Sequence, residues 1–519
     1  MMLACSKFFS VKVLIVITSI LTLVFLAVLV LAFYGVPVII DGSIQNSVHL
    51  EHGTIQWDRF VDLPVDIMMK VFLYHVSNPV AVLNGSKPMI EERGPYCYRQ
   101  KIHKNILSTN SSEDTVTFEQ NFQIAFDQEA SGDLTEADKV VIVNPAIMTL
   151  YRITSPLERL VVLGCLDKIF PSEYLGLFIE VDIKTIMLDG FPFAQQSEDL
   201  GPACNIVRNR VLDKTLPMKN VQRVIPDDDD DGILELRFAF LQYKMRNPDG
   251  IYTVNRGIND ITKLGQIIRW NNESELPYWG RIQSINNDTC KKVRGSDSTL
   301  YPPQVEKTRS FDIYSTDICR VVEISFQKTD SYKGIDAYRF GITKDTFRSA
   351  TPNPQNDCYC IQQTAGVHGE PSCFLDGVLD MFPCFGAPIV LSFPHFLYAD
   401  ESYSDAIEGI GPSHPEIHEL FLLIEPNTGT PLQGMKRIQL NTVLMPIKNI
   451  PVTSNIIPLV MPILWLEEGV SLPQNLIDEL NSHYFHTVKL VRGIIYGLIA
   501  VTAASALISS GFIIRKKYC

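Results

Sequence analysis

Two long uncharged apolar runs, one near each end of the chain, constrain the fold most. The first covers Val13–Ile40 and the second Gly493–Ile514. Each has at least 22 residues, and roughly 33 Å of helix at about 1.5 Å per residue is enough to cross a bilayer core of about 30 Å. The sequence therefore predicts membrane-spanning helices at 13–34 and 493–514, with residues 35–490 between them on one side of the membrane.

Basic residues at both ends predict the orientation of the two spans. Lys7 and Lys12 precede the first span, and Arg515, Lys516 and Lys517 follow the second. Because short Lys/Arg-rich tails stay in the cytoplasm, tails 1–12 and 515–519 are expected inside and the middle segment outside. A cleaved signal peptide is the alternative for the first run. Its length and the lack of a small-x-small cleavage site favour an uncleaved anchor.

The charge of the middle segment limits its partners. The whole chain of 519 residues has a net charge of -13, and without the five basic residues of the tails the rest is near -18. An acidic exterior argues against nucleic acid or an anionic membrane surface as the main partner. About 450 exterior residues are enough for one large domain or two ordinary ones.

Glycosylation and disulfides are expected in this segment. Asn-x-Ser/Thr triplets occur at Asn84, Asn110, Asn272 and Asn287. The eleven cysteines include two in the tails (Cys5 and Cys519), three in the first half (Cys97, Cys165 and Cys204) and six between positions 290 and 384 (Cys290, Cys319, Cys358, Cys360, Cys373 and Cys384). In an oxidising exterior the six predict three disulfides, but spacing does not choose among 15 pairings. The other three leave either a free thiol or a fourth disulfide. The spacing of Cys358 and Cys360 argues against zinc.

Period-two alternation predicts a mainly antiparallel β fold. It appears from Phe118 to Phe126, from Leu234 to Phe240 and from Arg437 to Asn441. Sheets of this size tend to close into a barrel or pack as a sandwich.

One stretch, from Pro156 to about Met187, has helical spacing and predicts two or three short helices. Two interpretations remain open. The helices cover one end of the sheet, or they form a partner-binding cap, because Phe170, Tyr174, Leu177 and Phe178 exceed what a small bundle can bury.

Enzyme and metal motifs are missing from the sequence. It has no nucleophile elbow, P-loop, dinucleotide fingerprint or His-Glu-x-x-His, which argues against an enzyme, a cofactor or a metal centre. Pro415 between His414 and His418 favours a turn over a metal site. The run Asp227–Asp231 is interpreted as a solvated acidic loop, with a weak calcium site as the alternative.

Several stretches in a fixed order resemble one family. The sequence is similar to the class B scavenger receptors, which include the fatty-acid translocase type, the lysosomal integral membrane protein type and the insect sensory neuron membrane proteins. The stretches that carry the likeness are Glu91–Tyr96, Arg294–Asp297, Tyr301–Pro303, Thr316–Arg320, Phe393–Phe396, Gly429–Leu432, Lys436–Asn441 and Pro462–Gly469.

The resemblance implies a fold and a disulfide pairing. The fold is a large antiparallel β-barrel with an internal tunnel and an apical helical bundle, anchored by two terminal transmembrane helices. The cap corresponds to about 150–215 and the disulfide region to 290–384. The family's pairing, carried onto this chain, gives Cys290–Cys358, Cys319–Cys384 and Cys360–Cys373. Members often carry palmitoylated tail cysteines, so Cys5 and Cys519 are candidate acceptors, with unmodified thiols as the alternative.

The resemblance also implies a mechanism and candidate ligand contacts. A hydrophobic ligand is captured at the cap and moves through the tunnel to the membrane. Lys168 and Lys184 are cap lysines that could meet an anionic head group, although a helix lysine is usually only solvated; Phe170, Tyr174 and Phe178 are the aromatic candidates. Gln304 departs from the family, where an aromatic residue usually follows the two prolines.

Three functions are weighed. The first is a plasma-membrane scavenger receptor for lipoproteins or small hydrophobic ligands such as fatty acids, sterols and carotenoids. The second is a lysosomal or endosomal receptor for a soluble partner, and the third is a sensory co-receptor for apolar odorants. A homo-oligomer is left open.

Overall fold

The computed structural model describes residues 10–195, 200–215, 218–224, 235–280, 287–360, 367 and 373–518. Its strands, numbered β1 to β18, are Ile67–Val76, Ile90–Asn110, Thr115–Phe126, Lys139–Val143, Phe178–Asp182, Phe191–Phe193, Val221–Val224, Glu235–Phe238, Ile251–Asn255, Ile267–Trp270, Ser310–Ser315, Arg320–Tyr332, Ile335–Gly341, Val378–Asp380, Ile389–Ser392, Phe421–Ile424, Pro431–Leu444 and Leu459–Ser471.

Helices occur along the whole chain. Those of α type, numbered α1 to α16, are Val11–Val30, Val36–Val48, Ile55–Val61, Pro79–Leu83, Gln128–Ser131, Pro145–Ile153, Pro156–Leu163, Leu166–Ile169, Gly201–Lys214, Gln242–Arg246, Asn287–Lys291, Phe382–Phe385, Glu401–Asp405, Pro415–His418, Gln474–Leu480 and Thr487–Tyr518. The chain divides into two compact units, residues 1–49 with 472–519 and residues 50–471.

The first unit contains the two apolar helices that the sequence predicts. One runs from Val11 to Val48 and the other from Gln474 to Lys516, and both are long and apolar enough to cross a membrane. Thr18 and Ser509 join the two helices through a hydroxyl hydrogen bond of 2.6 Å. Both helices extend beyond the predicted spans, and the boundaries of tails, spans and exterior segment stay predictions.

A widened turn lets the first helix pass a proline. Pro37 has no backbone N–H and would break the regular pattern of a helix interior. From Leu31 to Gly35 the chain forms a π-type turn, and the backbone N–H of Val36 donates to the carbonyl of Leu31, five residues back. Turns of this type occur mostly as single bulges inside α-helices. The apolar helix therefore continues to Val48.

The second unit is built on one large antiparallel sheet of 13 strands. Its strand order is β10-β9-β3-β2-β1-β18-β17-β16-β13-β12-β11, with β15 pairing β17 and β14 pairing β15. The three strands expected from alternation are confirmed within β3, β8 and β17, although β8 belongs to a separate three-stranded sheet. The alternation in β3 places Phe118, Gln120, Phe122 and Ile124 on its buried face.

The expectation of a mainly β fold with a closed barrel needs correction. Over the described chain, helices hold 38% of residues and strands 31%. No ladder of hydrogen bonds joins the end strands β10 and β11 within the described residues. A short segment at Gly295 and Ser296, here called the strap, bridges these ends instead. The backbone N–H of Ile267 in β10 donates to Gly295 O (2.7 Å), and Ser296 N–H donates to Asp312 O in β11 (3.0 Å).

Gly295 allows this strap to approach the sheet edge. Its φ is +89°, and an added Cβ would lie 2.3 Å from the carbonyl oxygen of Asp312. Any side chain would therefore push the strap off the edge. Arg294 adds an ion pair of 2.8 Å to the Asp312 carboxylate. This explains why one of the stretches that carry the resemblance is centred on a glycine.

The chain enters and leaves this unit at one end of the sheet. Leu50 donates its N–H to Arg256 O (2.9 Å) beyond the end of β9, and Ser471 ends β18 opposite the start of β1. The segment from β4 to β8, here called the cap, attaches where β1 ends. There the N–H of Val141 donates to His75 Nδ1 (3.0 Å), and Arg93 donates to Lys139 O (2.9 Å).

A candidate ligand-binding cap above a charged sheet interior

One buried asparagine organises the start of the cap. Asn144 follows β4 and is completely buried. Its carboxamide oxygen accepts from Ala146 N (3.1 Å) and Ile147 N (3.2 Å), which caps α6. Its amide group donates to Tyr174 O (2.8 Å) and Gly176 O (3.0 Å). This side chain therefore ties α6 to the chain that leads into β5.

Helices α7 and α9 form a cross-linked pair on the outside of the cap. Ser155 and Glu158 make a capping box at the start of α7. Hydrogen bonds from Ser155 and the charge of Lys214 lower the pKa of Glu158 to about 2. Its carboxylate lies 3.3 Å from Lys214 Nζ on α9. The disulfide Cys165–Cys204 joins the other ends of the pair.

The outer surface of this pair carries several exposed aliphatic side chains. Leu157 is 79% exposed and Leu160 57% on α7, and Ile206 is 71% exposed on α9. Val161 is also exposed. Exposed aliphatic side chains on adjacent helices of one surface mark a contact site for a protein or lipid partner more often than isolated ones do. We call these four residues the apolar ridge.

A narrow cavity lies beneath α6 and α9. Its enclosed volume is about 10 Å³, so in this structure it is a narrow gap with room for about one water molecule below a mouth that opens to solvent. The apolar wall residues are Ala146, Leu150, Ile153, Phe193, Val211, Met218, Val221, Phe238 and Ala387, and the polar ones are Thr149, Thr215 and Asn220. Helix α9 contributes to both the ridge and the cavity, because Ile206 faces solvent while Val211 lines the cavity.

The five predicted ligand contacts are placed at different depths. Lys168 is exposed, and Lys184 is 53% exposed with its Nζ 3.3 Å from Asp189. Phe170 is buried and stacks on the cavity-wall residue Phe193 at 5.9 Å. Tyr174 is half-buried and packs 5.1 Å from Phe191. Phe178 is half-buried at the start of β5, so the predicted helical pattern ends before it.

None of these five residues belongs to the described cavity wall, although Phe170 reaches it through Phe193. They stay predictions as ligand contacts. Sequence reasoning missed Ile206, Thr149 and Asn220, and it did not single out the ridge positions of α7. The helical spacing of Leu157, Leu160 and Val161 was visible, but periodicity does not say whether such a face is buried or exposed.

The inside of the large sheet has a different chemistry. Lys244 Nζ lies 2.9 Å from the Asp317 carboxylate and 3.0 Å from Glu468 Oε1, and Lys436 contacts the same two acids. Burial alone would raise the pKa of Asp317, but Lys244 and Lys436 hold it well below its usual range. Burial alone would lower the pKa of Lys244, but the charges of Asp317 and Glu468 raise it well above its usual range.

A second cluster lies around His395. Its Nε2 is 2.7 Å from Glu92 Oε2, which also accepts from Trp465 Nε1 (3.0 Å). His418 stacks on His395 at 4.2 Å, and its Nδ1 accepts from the backbone N–H of His414 (3.0 Å). Burial, and next the neighbouring His395, lower the pKa of His418 to about 4.

These clusters bring the stretches of the resemblance together. Glu92, Asp317, His395, Lys436 and Glu468 come from five different stretches. A sixth joins elsewhere through a pair of 2.7 Å between Lys104 and Asp297. Six of the eight stretches therefore contribute to an internal polar framework.

The structure also contains the cysteine pairs that the resemblance implies: Cys290–Cys358, Cys319–Cys384 and Cys360–Cys373. With the cap disulfide, Cys97 is left as a buried free thiol among the described cysteines. Asn84, Asn110 and Asn272 are exposed. The side chain of Asn287, the run Asp227–Asp231, Cys5 and Cys519 lie outside the described residues. Within the described part of the chain, no three His, Cys, Asp or Glu side chains form a group suited to a metal ion.

Comparison with known proteins agrees with the architecture. The model of the CD36 family matches residues 17–513. Sensory neuron membrane protein 2 of Anopheles gambiae is 30% identical over 515 residues, covering 90% of this chain and 87% of that protein. The same protein of Heliothis virescens is 30% identical, with 94% and 93% covered. Scavenger receptor class B member 1 of Cricetulus griseus is 27% identical, with 89% and 81% covered. A family match over nearly the whole length, on a chain with two terminal apolar helices, means that this membrane protein belongs to the CD36 family.

Proposed function

We propose that this protein is a cell-surface receptor that captures hydrophobic ligands on the apolar ridge and passes lipid through the cap toward the membrane. The observation that carries the proposal is that helix α9 contributes to two apolar features, with Ile206 on the ridge outside and Val211 in the cavity wall inside. Ligands of this kind include lipoproteins, fatty acids, sterols and carotenoids. The proposal has both termini in the cytoplasm and the cap at the end of the exterior domain away from the membrane.

The chemistry of transfer needs no energy source. Burying a lipid chain stabilises it by about 0.8 kcal/mol per CH₂ relative to water, and an apolar passage can match the bilayer in this respect. A ligand can therefore move from ridge to cavity to membrane without being dispersed in water. The cavity, which would have to widen to admit a lipid chain, would be the upper part of a tunnel that continues through the sheet. No catalytic step is included in this mechanism.

A second candidate function is a sensory co-receptor for apolar odorants. It is favoured by the relatives at 30% identity, which are named sensory neuron membrane proteins. The same ridge and cavity would serve it, because capture of an apolar odorant needs the same surface chemistry. A lysosomal receptor for a soluble partner is the third alternative, and it would use the ridge but not the cavity.

The test is uptake of labelled lipid from lipoprotein-like particles by cells that express the full chain. Leu160→Glu places a charge on the ridge and is expected to weaken particle binding roughly tenfold, since burial of one leucine is lost. Ile457→Glu is the matched control, because Ile457 is also a partly exposed aliphatic residue (40%) but lies outside the cap.

The outcomes separate the candidates. Surface staining with selective, ridge-dependent uptake supports the scavenger receptor. Surface staining without uptake, together with expression in sensory neurons, supports the co-receptor. Internal staining without uptake supports the lysosomal receptor, and equal effects of the two glutamate variants would contradict a role for the ridge.

A further inference from the structure

A pocket in the disulfide region contains a buried arginine with unused hydrogen-bond donors. Arg320 begins β12, is 6% exposed and lines the pocket. Its guanidinium carbon lies 3.7 Å from the ring centre of Tyr359, and its Nε donates to Val321 O (3.3 Å). The hydroxyl of Tyr359 is its further polar contact. The two Nη atoms carry four N–H groups, so most of these donors have no acceptor among the described residues.

The charge of Arg320 is not balanced by an acid in the described part of the chain. A buried charge is costly unless an opposite charge lies close to it. No described carboxylate forms an ion pair with Arg320 within 4.0 Å. Burial lowers the pKa of Arg320, Tyr359 opposes this shift, and the charge of Arg294 adds to it. An anion beside the guanidinium would therefore be stabilised.

One acid lines the same pocket, but it interacts with other groups. Asp380 Oδ1 accepts from the N–H of Phe382 (2.9 Å), and its Oδ2 is shielded from solvent. Burial lowers the pKa of Arg152, and the charge of Asp380 opposes that shift. Asp380 therefore acts on Arg152, and it is not among the charges that alter the pKa of Arg320.

The pocket is small and contains a second donor. It encloses about 40 Å³, which is room for about three water molecules. Ser349 is half-buried in its wall, and the hydroxyl group donates to no described residue. Arg348, also in the wall, pairs with Asp345 (3.0 Å) and Asp376 (3.6 Å), so its charge is already balanced. A space of this size holds a monatomic anion, but not a phosphate or a sulfate with five heavy atoms.

We propose that this pocket binds one chloride ion, held by the Nη donors of Arg320 and the hydroxyl of Ser349. One monovalent anion balances one buried cation, and hydrogen bonds to a charged partner are stronger than neutral ones. The bound ion holds Arg320 against Tyr359, which lies between the disulfide cysteines Cys358 and Cys360. The pocket shares no wall residue with the cavity beneath α6 and α9, so the inference does not rest on the proposed function.

The first arm of the test needs no variant. Thermal unfolding of the full chain in lipid nanodiscs is followed while sodium gluconate, whose anion is too large for the pocket, is replaced by sodium chloride at constant ionic strength. We expect the melting temperature to rise by about 2–4 °C and then to level off, because an ion that binds only the folded state stabilises it. Bromide should act like chloride. Equal melting temperatures in gluconate and chloride would overturn the inference.

The second arm locates the ion. Crystals of the full chain grown with sodium bromide should give an anomalous peak beside the Nη atoms of Arg320. Arg320→Met should abolish the chloride effect, whereas Arg269→Met, at a partly exposed arginine on β10, is the matched control and should keep it. Ser349→Ala should raise the chloride concentration for half of the effect severalfold, and it serves if Arg320→Met does not fold. A full chloride effect in Arg320→Met, or bromide bound only elsewhere, would overturn the assignment.

Discussion

The cap and the interior of the large sheet differ in which side chains they expose to water. In the cap, aliphatic side chains of α7 and α9 face solvent, and Leu157 is 79% exposed. Inside the sheet, charged side chains are withdrawn from water, and Lys244 is 6% exposed between two acids. The cap leaves apolar surface uncovered where a partner can cover it. The sheet interior encloses charge, which is tolerated only because each member is paired.

This difference shows which part of the protein the family resemblance describes. Five of the eight stretches that carry it meet in the clusters around Asp317 and His395, and none contributes to the ridge or the described cavity wall. They specify a framework whose charges must be satisfied together, because one missing partner leaves another buried charge unpaired. The positions of the ridge and the cavity have no such mutual requirement. A family assignment therefore identifies the scaffold and leaves the ligand to be found from the cap.

The most severe test of the framework is Asp317→Asn. The change keeps the side-chain shape but leaves Lys244 and Lys436 with one acid, Glu468, between them. We expect the free energy of unfolding to fall by about 3–5 kcal/mol, because a buried cation is left uncompensated. Thermal unfolding and the fraction of protein that reaches the cell surface measure the effect.

Asp336→Asn is the control for this change. Asp336 is exposed on β13, and surface substitutions of this kind usually alter stability by less than about 0.5 kcal/mol. Wild-type surface levels and an unchanged melting temperature for Asp317→Asn would show that the buried charges are not the framework that we describe.

A smaller loss of stability is expected when the pH is lowered, because of His418. Its pKa is about 4 in the folded protein against 6.5 for an ordinary histidine, mainly because of burial. The unfolded chain therefore binds an extra proton between these values. This contribution to stability is complete above pH 6.5 and is lost as the pH falls toward 4, by up to about 3 kcal/mol. Melting temperatures between pH 7 and pH 4.5 test it.

The variant His418→Asn isolates this contribution, because its carboxamide oxygen can still accept from the N–H of His414. Its melting temperature should depend less on pH than that of the wild type. Asp249 acts in the opposite direction: burial raises its pKa to about 6, so its contribution is lost as the pH rises through 6. Only the difference between wild type and variant is therefore diagnostic. Parallel pH curves for the two proteins would refute the assignment to His418.

Much of the framework could be predicted from the sequence. Two uncharged runs predicted the terminal helices, since length and apolarity decide that question alone. Alternation found β3 and β17 because one face of each is buried. The pairing of Cys319 with Cys384 came only from resemblance, because spacing cannot distinguish among many loops of similar closure entropy.

The strap between the end strands and the apolar ridge could not be predicted in the same way. The strap depends on Gly295 meeting Asp312, a contact between residues that no local pattern connects. Phe178 was assigned to a helix because its spacing from Tyr174 fits one, but pairing with β4 places it in a strand. The ridge was missed because a helical apolar face is normally buried, and only tertiary structure shows that α7 turns it outward.

The smallest expected effect on stability comes from a substitution that distinguishes the ridge of the cap from its cavity. Ala146→Phe fills the cavity wall under α6 and should cost about 1–3 kcal/mol through overpacking, too little to unfold a domain of this size. Particle binding should be unchanged, because the ridge is intact, while lipid transfer falls sharply, because the passage is blocked. Ala125→Phe, on an exposed position of β3, controls for the added aromatic ring.

If Ala146→Phe lowered particle binding and transfer equally, the cavity would be a packing defect beneath a binding surface. Loss of transfer alone would make the cavity the route by which a captured ligand leaves the surface.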